Sequence, residues 1–540
     1  MVCAYAFFRN ATEYCKKKDS LVGSITAERA WWNILHYNLT VEPDWVHKKL
    51  KGIQTITYEV LQNRPIKEMQ IDLVAPLAID SVIQDGKSVA FRQVGDIWYL
   101  QLNKQRQSSK KQVTIYYAGK PIESLHAPWD GGMVWSKDSL GRPWISVACQ
   151  YKGASLWFPC KNHLSDEPEN GATISVIVPD SLIAVSNGRL IHQQQLAADK
   201  TLFRWQVKSP INHYGISFYI GKYVHLSGKH NGKNGLLSTD FWVLDYNRQK
   251  AIEHLMPQID STLVALENCF GPYPFYNDGF KMVDAPYIGM EHQSAIAYGS
   301  SYRKGTNVKG GDISNTGWGK KTDRILVHET AHEWFGNSIT ASDIADRWIQ
   351  EGFVGLAEEL VIAHYWGEDA GNAFMQGRFR TIENDKPVIG KYGINEDGSQ
   401  DNYVKGWAVM HMIKTMLSNN NRFIQLLRKL NREFFHHVVT SREVEAFFIR
   451  ETKLQLKPFF DQYLRSAQVP ILQYVIKDNQ IKYRFVNCNS GFTMPLKTNI
   501  TGKEWIYPTA SWKTVPIKGL IQGNSFQVDT NFYIQTEQTN

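Results

Sequence analysis

Four residues in one part of the chain have types and spacing that suit metal chemistry. The segment VHETAHEWFG places His328 and His332 four positions apart, with Glu329 directly after the first, and Glu351 follows nineteen positions after the second. On a helix, residues four apart project from one face, so the two imidazoles can bind one metal ion. Two imidazoles and one carboxylate suit zinc better than magnesium or calcium, which prefer oxygen ligands. The spacing predicts one zinc ion per chain, bound by His328, His332 and Glu351.

A site of this kind predicts hydrolysis. Three protein ligands leave a fourth position open, which catalytic zinc requires, and zinc polarises carbonyls and acidifies water. Glu329 is placed to take a proton from water and pass it to a leaving amine. For Glu358, two turns beyond Glu351, two readings stay open: it holds a ligand histidine by its other ring nitrogen, or it is a solvated helix carboxylate. The HExxH pattern alone would arise by chance in roughly one such chain in fifty.

Hydrophobic patterning predicts the elements that position these residues. Up to about residue 220, segments such as QTITYEVL and LFRWQV alternate apolar and polar residues between turn signals, which indicates antiparallel strands. Further along, apolar residues recur at helical spacing, which predicts helices over 323–336, 344–365, 403–418, 422–436 and 441–465. After Pro470 the alternation returns in ILQYVI, IKYRFV and SFQVDTNFYI, which indicates a small β-sandwich.

The composition excludes several classes of protein. A chain of 540 residues is too long for one core and predicts several domains. Its 43% hydrophobic and 21% charged residues are typical of globular proteins. The net charge of +8 is spread thinly, so no nucleic-acid partner is predicted. No apolar run reaches the length of a transmembrane segment.

The N-terminus and the cysteines bear on the compartment. The opening VCAYAFF is a poor signal peptide, which predicts a cytoplasmic protein for the sequence as it stands and an extracytoplasmic one if the native N-terminus differs. Cysteines are few and no CxxC pair occurs, so a zinc ribbon is excluded. Cys149 and Cys160 flank one short segment and form the best candidate pair for a disulfide in an oxidising compartment.

Several motifs together resemble a known family. The segments VHETAHEWFGNSIT and WIQEGF look like the zinc helices of the aminopeptidase N family, the gluzincin aminopeptidases that include leukotriene hydrolase, and the resemblance extends over nearly the whole chain. YIGMEHQSAIAYG (287–299) is similar to the family's GxMEN exopeptidase motif, and NYVKGWAVM (402–410) is similar to its YxKG segment. The chain departs from the first of these motifs at two positions, with His292 for the usual Asn and Ile288 for the first Gly.

This resemblance implies roles for five further residues. Tyr403 would donate a hydrogen bond to the oxyanion, and Glu291 would pair with the α-ammonium group of a peptide. The backbone of Gly289 and Met290 would pair with an extended substrate, as an added strand does. Gln150, nine residues before a Pro-Cys pair, would contact substrate. For Tyr403 and Gln150 the alternatives are a buried structural tyrosine and a polar strand residue.

The resemblance also implies a fold and an activity. The fold is multidomain α+β, with an N-terminal antiparallel β domain (1–224), a thermolysin-like zinc catalytic domain (225–468) and a small C-terminal β-sandwich (469–540). Many members of the family have a large helical domain after the sandwich, but no C-terminal helical domain is expected in this chain, because it ends at Asn540. The activity is that of a zinc-dependent aminopeptidase, which hydrolyses the N-terminal peptide bond of peptides with a free N-terminus. The alternatives are a thermolysin-type endopeptidase, against which Glu291 argues, an epoxide hydrolase, and a catalytically inactive peptide-binding protein.

Overall fold

The computed structural model describes residues 20–62, 68–103, 105–150, 152–197, 199–306, 310–517 and 526–539. Within these ranges a region of strands is followed by helices around a five-stranded sheet and then by a second region of short strands. The opening VCAYAFF segment lies outside the described residues. No helix in the described ranges is both long and apolar enough to cross a lipid bilayer.

The N-terminal region is built on an eight-stranded sheet, antiparallel except where Trp32–Asp44 pairs with Ala172–Pro179. Buried and less buried side chains alternate along Lys49–Val60, because successive side chains of a strand point to opposite faces. The strands in spatial order are Arg189–Leu196, Lys200–Val207, Ala172–Pro179, Trp32–Asp44, Lys49–Val60, Lys110–Gly119, Ala78–Gln84 and Lys87–Ser88.

Two smaller sheets share the core of this region. The first contains, in spatial order, Ile183–Ser186, Phe218–Gly221, Pro143–Ala148 and Gly132–Lys137. The second contains Met69–Asp72, Ile97–Leu100 and Phe91–Val94. Their common core includes edge-on aromatic contacts of Tyr58 with Trp31 and Trp32.

The central region contains a mixed five-stranded sheet. Its terminal strand is the short segment Gly289–Met290, which pairs antiparallel with Ile296–Tyr298. The strands in spatial order are Tyr223–Gly232, Gly235–Leu244, Phe280–Asp284, Ile296–Tyr298 and Gly289–Met290. One stretch of the predicted exopeptidase motif therefore forms the edge of a sheet.

The described central region also contains eight helices of eight residues or more. They are Met256–Phe270, Arg324–Ala331, Trp348–Trp366, Glu368–Phe379, Val404–Leu417, Asn420–Glu433, Ser441–Thr452 and Lys457–Arg465. The prediction of one helix over 441–465 is wrong, because Lys453 adopts a left-handed backbone with φ of 62° and ends the first of two helices. The helix Glu368–Phe379 was not predicted, since its two glycines and polar residues give a weak apolar period.

The C-terminal region contains a four-stranded and a two-stranded sheet. The first consists of Lys513–Pro516, Gln480–Val486, Ile471–Lys477 and Gln535–Gln538, and the second of Leu496–Lys497 and Trp505–Ile506. The strand prediction for SFQVDTNFYI is wrong in the described part of that segment. Phe526 and Phe532 enter the core from a loop, and the Phe532 N–H bonds the Asp529 carbonyl in a turn. An isolated antiparallel bridge between Val528 and Thr498 takes the place of the predicted strand.

The predicted cysteine pair is not bridged. Cys149 and Cys160 are both free thiols without solvent exposure in the N-terminal core. Burial raises the pKa of each thiol well above its usual value. These two cysteines therefore pack as small apolar residues.

Candidate metal centre and active site

The metal cluster is built from two helices. His328 lies inside the helix Arg324–Ala331, and His332 is the residue that caps its C-terminal end with a helical backbone. Both rings therefore leave the helix on one face. Glu351 lies in the first turn of the helix Trp348–Trp366, and all three side chains are buried.

Three ligand atoms of this cluster face one another. The Nε2 atoms of His328 and His332 are 3.3 Å apart, and they lie 3.5 Å and 3.6 Å from Oε2 of Glu351. Tetrahedral zinc ligands at about 2.1 Å from the metal lie about 3.4 Å from each other. The spacing of the three atoms is therefore that of a zinc site.

The other ring nitrogens decide which tautomer each histidine adopts. Nδ1 of His328 lies 2.7 Å from Oε1 of Glu358, and Nδ1 of His332 lies 2.9 Å from the Phe335 carbonyl. Both partners accept hydrogen bonds, so both Nδ1 atoms carry the proton and both Nε2 lone pairs point to the cluster centre. Oε2 of Glu351 is buried without a hydrogen-bond partner among the described residues. When both rings are neutral, these three atoms are all acceptors, a set that fits a cation such as zinc.

The electrostatics of the metal-free cluster agree with this assignment. Burial lowers the pKa of His328, but Glu351 and Glu358 outweigh that effect and raise it to about 10. Burial acts to raise the pKa of Glu351, but Arg347 and the two histidines hold it well below its usual value. The site therefore attracts positive charge, and protons and a metal ion compete for it.

Glu358 supports the first histidine. Besides the contact with His328, its second oxygen accepts a hydrogen bond of 2.8 Å from Nε of Arg324. Its side chain is only 4% exposed. The reading of Glu358 as a solvated carboxylate is therefore wrong, and the reading in which it holds a ligand histidine is supported.

Glu329 lies next to the terminal strand of the central sheet. A side-chain carbon at Gly289 would lie 2.5 Å from Oε1 of Glu329, so the approach of strand and carboxylate requires glycine. Carboxylate oxygens of Glu329 and Glu291 and a ring nitrogen of His332 lie within 4.8 Å of one another. Burial, only partly offset by His328 and His332, raises the pKa of Glu329 to about 7, which suits a general base near neutral pH.

Glu291 is a buried carboxylate beside the cluster. It is 4% exposed, and its loop is held by a hydrogen bond of 2.9 Å from Asn337 Nδ2 to the Glu291 carbonyl. No residue in the described ranges donates a hydrogen bond to its carboxylate. The neighbouring His292, the departure from the family motif, is fully buried and its Nδ1 lies 2.5 Å from the Tyr219 hydroxyl. Burial lowers the pKa of His292 to about 3, so it is a neutral core residue.

Tyr403 lies at the start of the helix Val404–Leu417, next to the ligands. Its ring stacks beside that of His328 with centroids 6.2 Å apart. Nη2 of Arg347 donates to the Tyr403 hydroxyl oxygen over 2.7 Å and to Oε1 of Glu351 over 2.8 Å. Sequence reasoning missed Arg347, although its opposite charge four residues before Glu351 is a recognisable helical pair.

The remaining predicted residues also lie in this region. Nε2 of Gln150 is 3.5 Å from Oε1 of Glu351. Met290 belongs to the terminal strand, and its side chain packs in the core of the N-terminal region. The structure thus brings together His328, Glu329, His332, Glu351, Gln150, Gly289, Met290, Glu291 and Tyr403.

A comparison with known proteins identifies the family to which this chain belongs. A sequence model of the Peptidase M1 N-terminal domain matches residues 33–214, and one of the Peptidase family M1 domain matches residues 261–463. Together they cover more than two thirds of the chain. The fold and the site are those of a zinc-dependent aminopeptidase. The chain belongs to peptidase family M1, which confirms the resemblance to aminopeptidase N and leukotriene hydrolase.

Individual relatives are distant but extensive. Leukotriene A-4 hydrolase of Xenopus laevis is 21% identical over 516 residues, which cover 89% of this chain and 76% of the relative. Aminopeptidase N of Lactobacillus helveticus is 21% identical over 83% of this chain, which spans only 52% of that relative. A mutant M1 zinc metallopeptidase of Deinococcus radiodurans has a similar fold, with a TM-score of 0.67 and 19% identity over 81% of this chain and 95% of that structure.

Proposed function

We propose that this chain releases the N-terminal residue of peptides by hydrolysis, with one zinc ion held by His328, His332 and Glu351. The observation that carries the proposal is the buried carboxylate of Glu291 beside the ligand cluster. This carboxylate lines the cavity beside the cluster, and the α-ammonium group of a peptide would supply the donor that the described residues do not. Its fixed position beside the metal cluster would admit one residue before the bond to be cut.

Glu329 is the proposed general base. Bound zinc would polarise the scissile carbonyl and lower the pKa of water. Glu329 would accept the proton of the attacking water and deliver it to the leaving amine. Its burial and a pKa raised to about 7 suit both transfers.

Tyr403 is the proposed donor to the oxyanion. The contact with Arg347 uses a lone pair of the phenol oxygen, because a guanidinium group only donates. A positive charge next to the phenol also makes its proton a better donor. Arg347 therefore positions Tyr403 and Glu351 together.

The substrate would be held along the terminal strand. Gly289–Met290 is the last strand of its sheet, and an extended peptide would pair with it. Glu291 would hold the amino group, and Gln150 would contact the peptide near the cluster. The extended pairing and the ammonium contact together would fix the scissile bond relative to Glu329.

Three rival functions have less support. A thermolysin-type endopeptidase has no use for the buried charge of Glu291. An epoxide hydrolase would need a long apolar channel, whereas the cavity beside Glu291 is small and its lining includes the polar side chains of Gln150, Asn162 and His213. A catalytically inactive binding protein is disfavoured because every proposed catalytic side chain is in place.

One peptide pair tests the proposal. Zinc-loaded protein is incubated with a peptide that begins with alanine and with the same peptide N-acetylated, and the products are identified by mass spectrometry. We expect the free peptide to lose one residue from its N-terminus and the acetylated peptide to stay intact. Internal cleavage of the acetylated peptide would support the endopeptidase, and binding of the free peptide without cleavage would support the inactive protein.

We further propose three domains, with boundaries near residues 224 and 468 and a β-sandwich at the C-terminal end. The first boundary is supported by the strand Tyr223–Gly232, which begins the central sheet, and the second by the gap between the helix Lys457–Arg465 and the strand Ile471–Lys477. Leu472 and Phe485 of the last domain pack in the same core as the catalytic helices. Limited proteolysis tests the boundaries.

A further inference from the structure

A small cavity lies beside Glu291 on the substrate side of the site. Its volume is about 50 Å³, and its lining includes Gln150, Asn162, His213 and Gln350. An apolar cavity of about 150 Å³ is known to bind benzene. The cavity opens to solvent on one side, and its enclosed part is too small for an aromatic side chain. Because Glu291 itself lines the cavity, the side chain of an N-terminal residue held by Glu291 would project into it.

One wall of this cavity comes from the start of the described chain. Val22 and Gly23 line it, and they belong to one helical turn, residues 20–24, here named the N-terminal strap. The strap precedes residues 33–214, the first region matched by a family model. This wall is therefore contributed by sequence outside the part of the chain that the family models match.

The strap is fixed to the N-terminal region by buried polar side chains. Nη1 of Arg29 donates to the carbonyls of Val22 and Ser24, each over 2.8 Å, and Arg29 also forms a buried ion pair with Asp72. Nε2 of Gln70 donates to the Leu21 carbonyl over 3.2 Å. Arg29 and Gln70 are fully buried, so three hydrogen bonds from buried side chains hold the strap to the body of the protein, and the ion pair with Asp72 fixes Arg29 in place.

The strap also touches the catalytic region. A side-chain carbon at Gly23 would lie 2.3 Å from backbone atoms of Ile394 and Asn395, which means that the strap backbone packs directly against that loop. His163 forms a hydrogen bond with the Gly23 backbone from the other side. The strap therefore packs against two other parts of the protein, and it cannot move aside easily to make room for a longer substrate side chain.

The lining of the cavity mixes apolar and polar side chains, and at least one of its polar groups has no partner in the part of the chain that the structure describes. Burial lowers the pKa of His213 to about 3, so this imidazole is neutral, and its Nε2 is buried without a partner among the described residues. A short hydroxyl-bearing side chain could therefore form a hydrogen bond with Nε2 of His213.

We propose that the N-terminal strap, through Val22, restricts this aminopeptidase to short N-terminal residues such as glycine, alanine and serine. This inference rests on the proposed function. It makes Val22 a specificity-determining residue, since it limits how far a side chain can extend from the position fixed by Glu291.

The first test is a panel of fluorogenic aminoacyl substrates on the zinc-loaded wild type: alanyl, seryl, leucyl, phenylalanyl, arginyl and glutamyl. We expect kcat/KM for the alanyl and seryl substrates to exceed that for each of the others by about tenfold or more, the range that a pocket contact of this size supplies. Equal or faster cleavage of the leucyl, phenylalanyl, arginyl or glutamyl substrate would overturn the inference.

The second test changes the wall in both directions. Val22→Ala should raise the leucyl-to-alanyl ratio of kcat/KM by about tenfold, and Val22→Leu should lower the alanyl-to-glycyl ratio. Ile25→Ala is the matched control, because Ile25 is 41% exposed next to the strap and is not part of the cavity lining; it should leave both ratios unchanged. Ratios unchanged in both Val22 variants, or shifted equally by Ile25→Ala, would overturn the role of Val22.

The two proposals fail in different ways. If the zinc-loaded wild type cleaves none of the aminoacyl substrates, the proposed aminopeptidase function is refuted, and the inference about the strap is refuted as well because it rests on that function. If it cleaves them with a preference for long residues, the aminopeptidase stands and only the inference about the strap is lost.

Discussion

Nδ1 of His328 lies 2.7 Å from Oε1 of Glu358, and this contact decides which nitrogen of the ring would meet the proposed zinc ion. The carboxylate accepts the Nδ1 proton, so Nε2 keeps its lone pair toward Glu351 and His332. Arg324 holds the other oxygen of Glu358, so the carboxylate cannot turn away from the ring. A ligand position is therefore set by residues that do not touch the metal.

Glu358→Gln should weaken zinc binding about tenfold to a hundredfold, the usual effect of removing such a supporting group. The amide can still accept the Nδ1 proton, but it carries no charge to favour the metal-bound ring and no longer pairs with Arg324. Competition with a chelator measures the affinity. Glu368→Gln, which changes a half-exposed carboxylate outside the cluster, should bind zinc like the wild type. Unchanged affinity in Glu358→Gln would show that the contact is not needed.

Glu329→Gln should retain zinc and lose turnover by about a hundredfold or more, the usual size of general-base catalysis. The amide keeps the shape that fits against Gly289 but cannot accept the proton of water. Metal content and kcat are measured on the same preparation. Rates near those of the wild type in the zinc-loaded variant would refute the assignment of Glu329 as the base.

Tyr403→Phe removes one hydrogen-bond donor and almost no volume. Loss of an oxyanion donor costs about 3 kcal/mol of transition-state stabilisation, and the loss should fall on kcat because the bond strengthens as the oxyanion forms. Steady-state kinetics with a peptide substrate separate the two parameters. An unchanged kcat with a raised KM would instead make Tyr403 a binding residue.

Glu291→Gln should weaken binding of ligands that carry an α-amino group and spare those that lack one. The variant keeps the volume of the side chain and removes the charge that pairs with the ammonium group. Inhibition constants for matched inhibitors with and without the amine, measured on both proteins, give the comparison. If both kinds of inhibitor lost equal affinity, the carboxylate would shape the site without recognising the amine.

The convergence of the candidate metal ligands was predictable in part because the spacing of the two histidines is local. His328 and His332 are one helical turn apart, so their common face follows from helix geometry. The contact between Gly289 and Glu329 was not predictable. It joins a strand and a helix that approach each other closely, and the residue types alone do not indicate such an approach. Arg347 was missed for a different reason: the ion pair with Glu351 is local, but the contact with Tyr403 spans 56 positions.

The fold shows the same division between local and distant information. Alternation along Lys49–Val60 predicted a strand, and helical spacing predicted Val404–Leu417 to within a residue at each end. The break at Lys453 depends on one left-handed residue that the apolar pattern does not mark. The burial of Phe526 and Phe532 from a loop shows that alternation indicates burial more directly than it indicates strand pairing.

Titration of zinc into metal-free protein tests the central claim most directly. Turnover of a peptide with a free N-terminus is measured as zinc is added in known amounts to a known concentration of chain. The account predicts no turnover without metal, a linear rise, and a plateau at one zinc per chain, because the three converging ligand atoms form one site. Full turnover by the metal-free protein, or a plateau only at two or more zinc ions per chain, would contradict it.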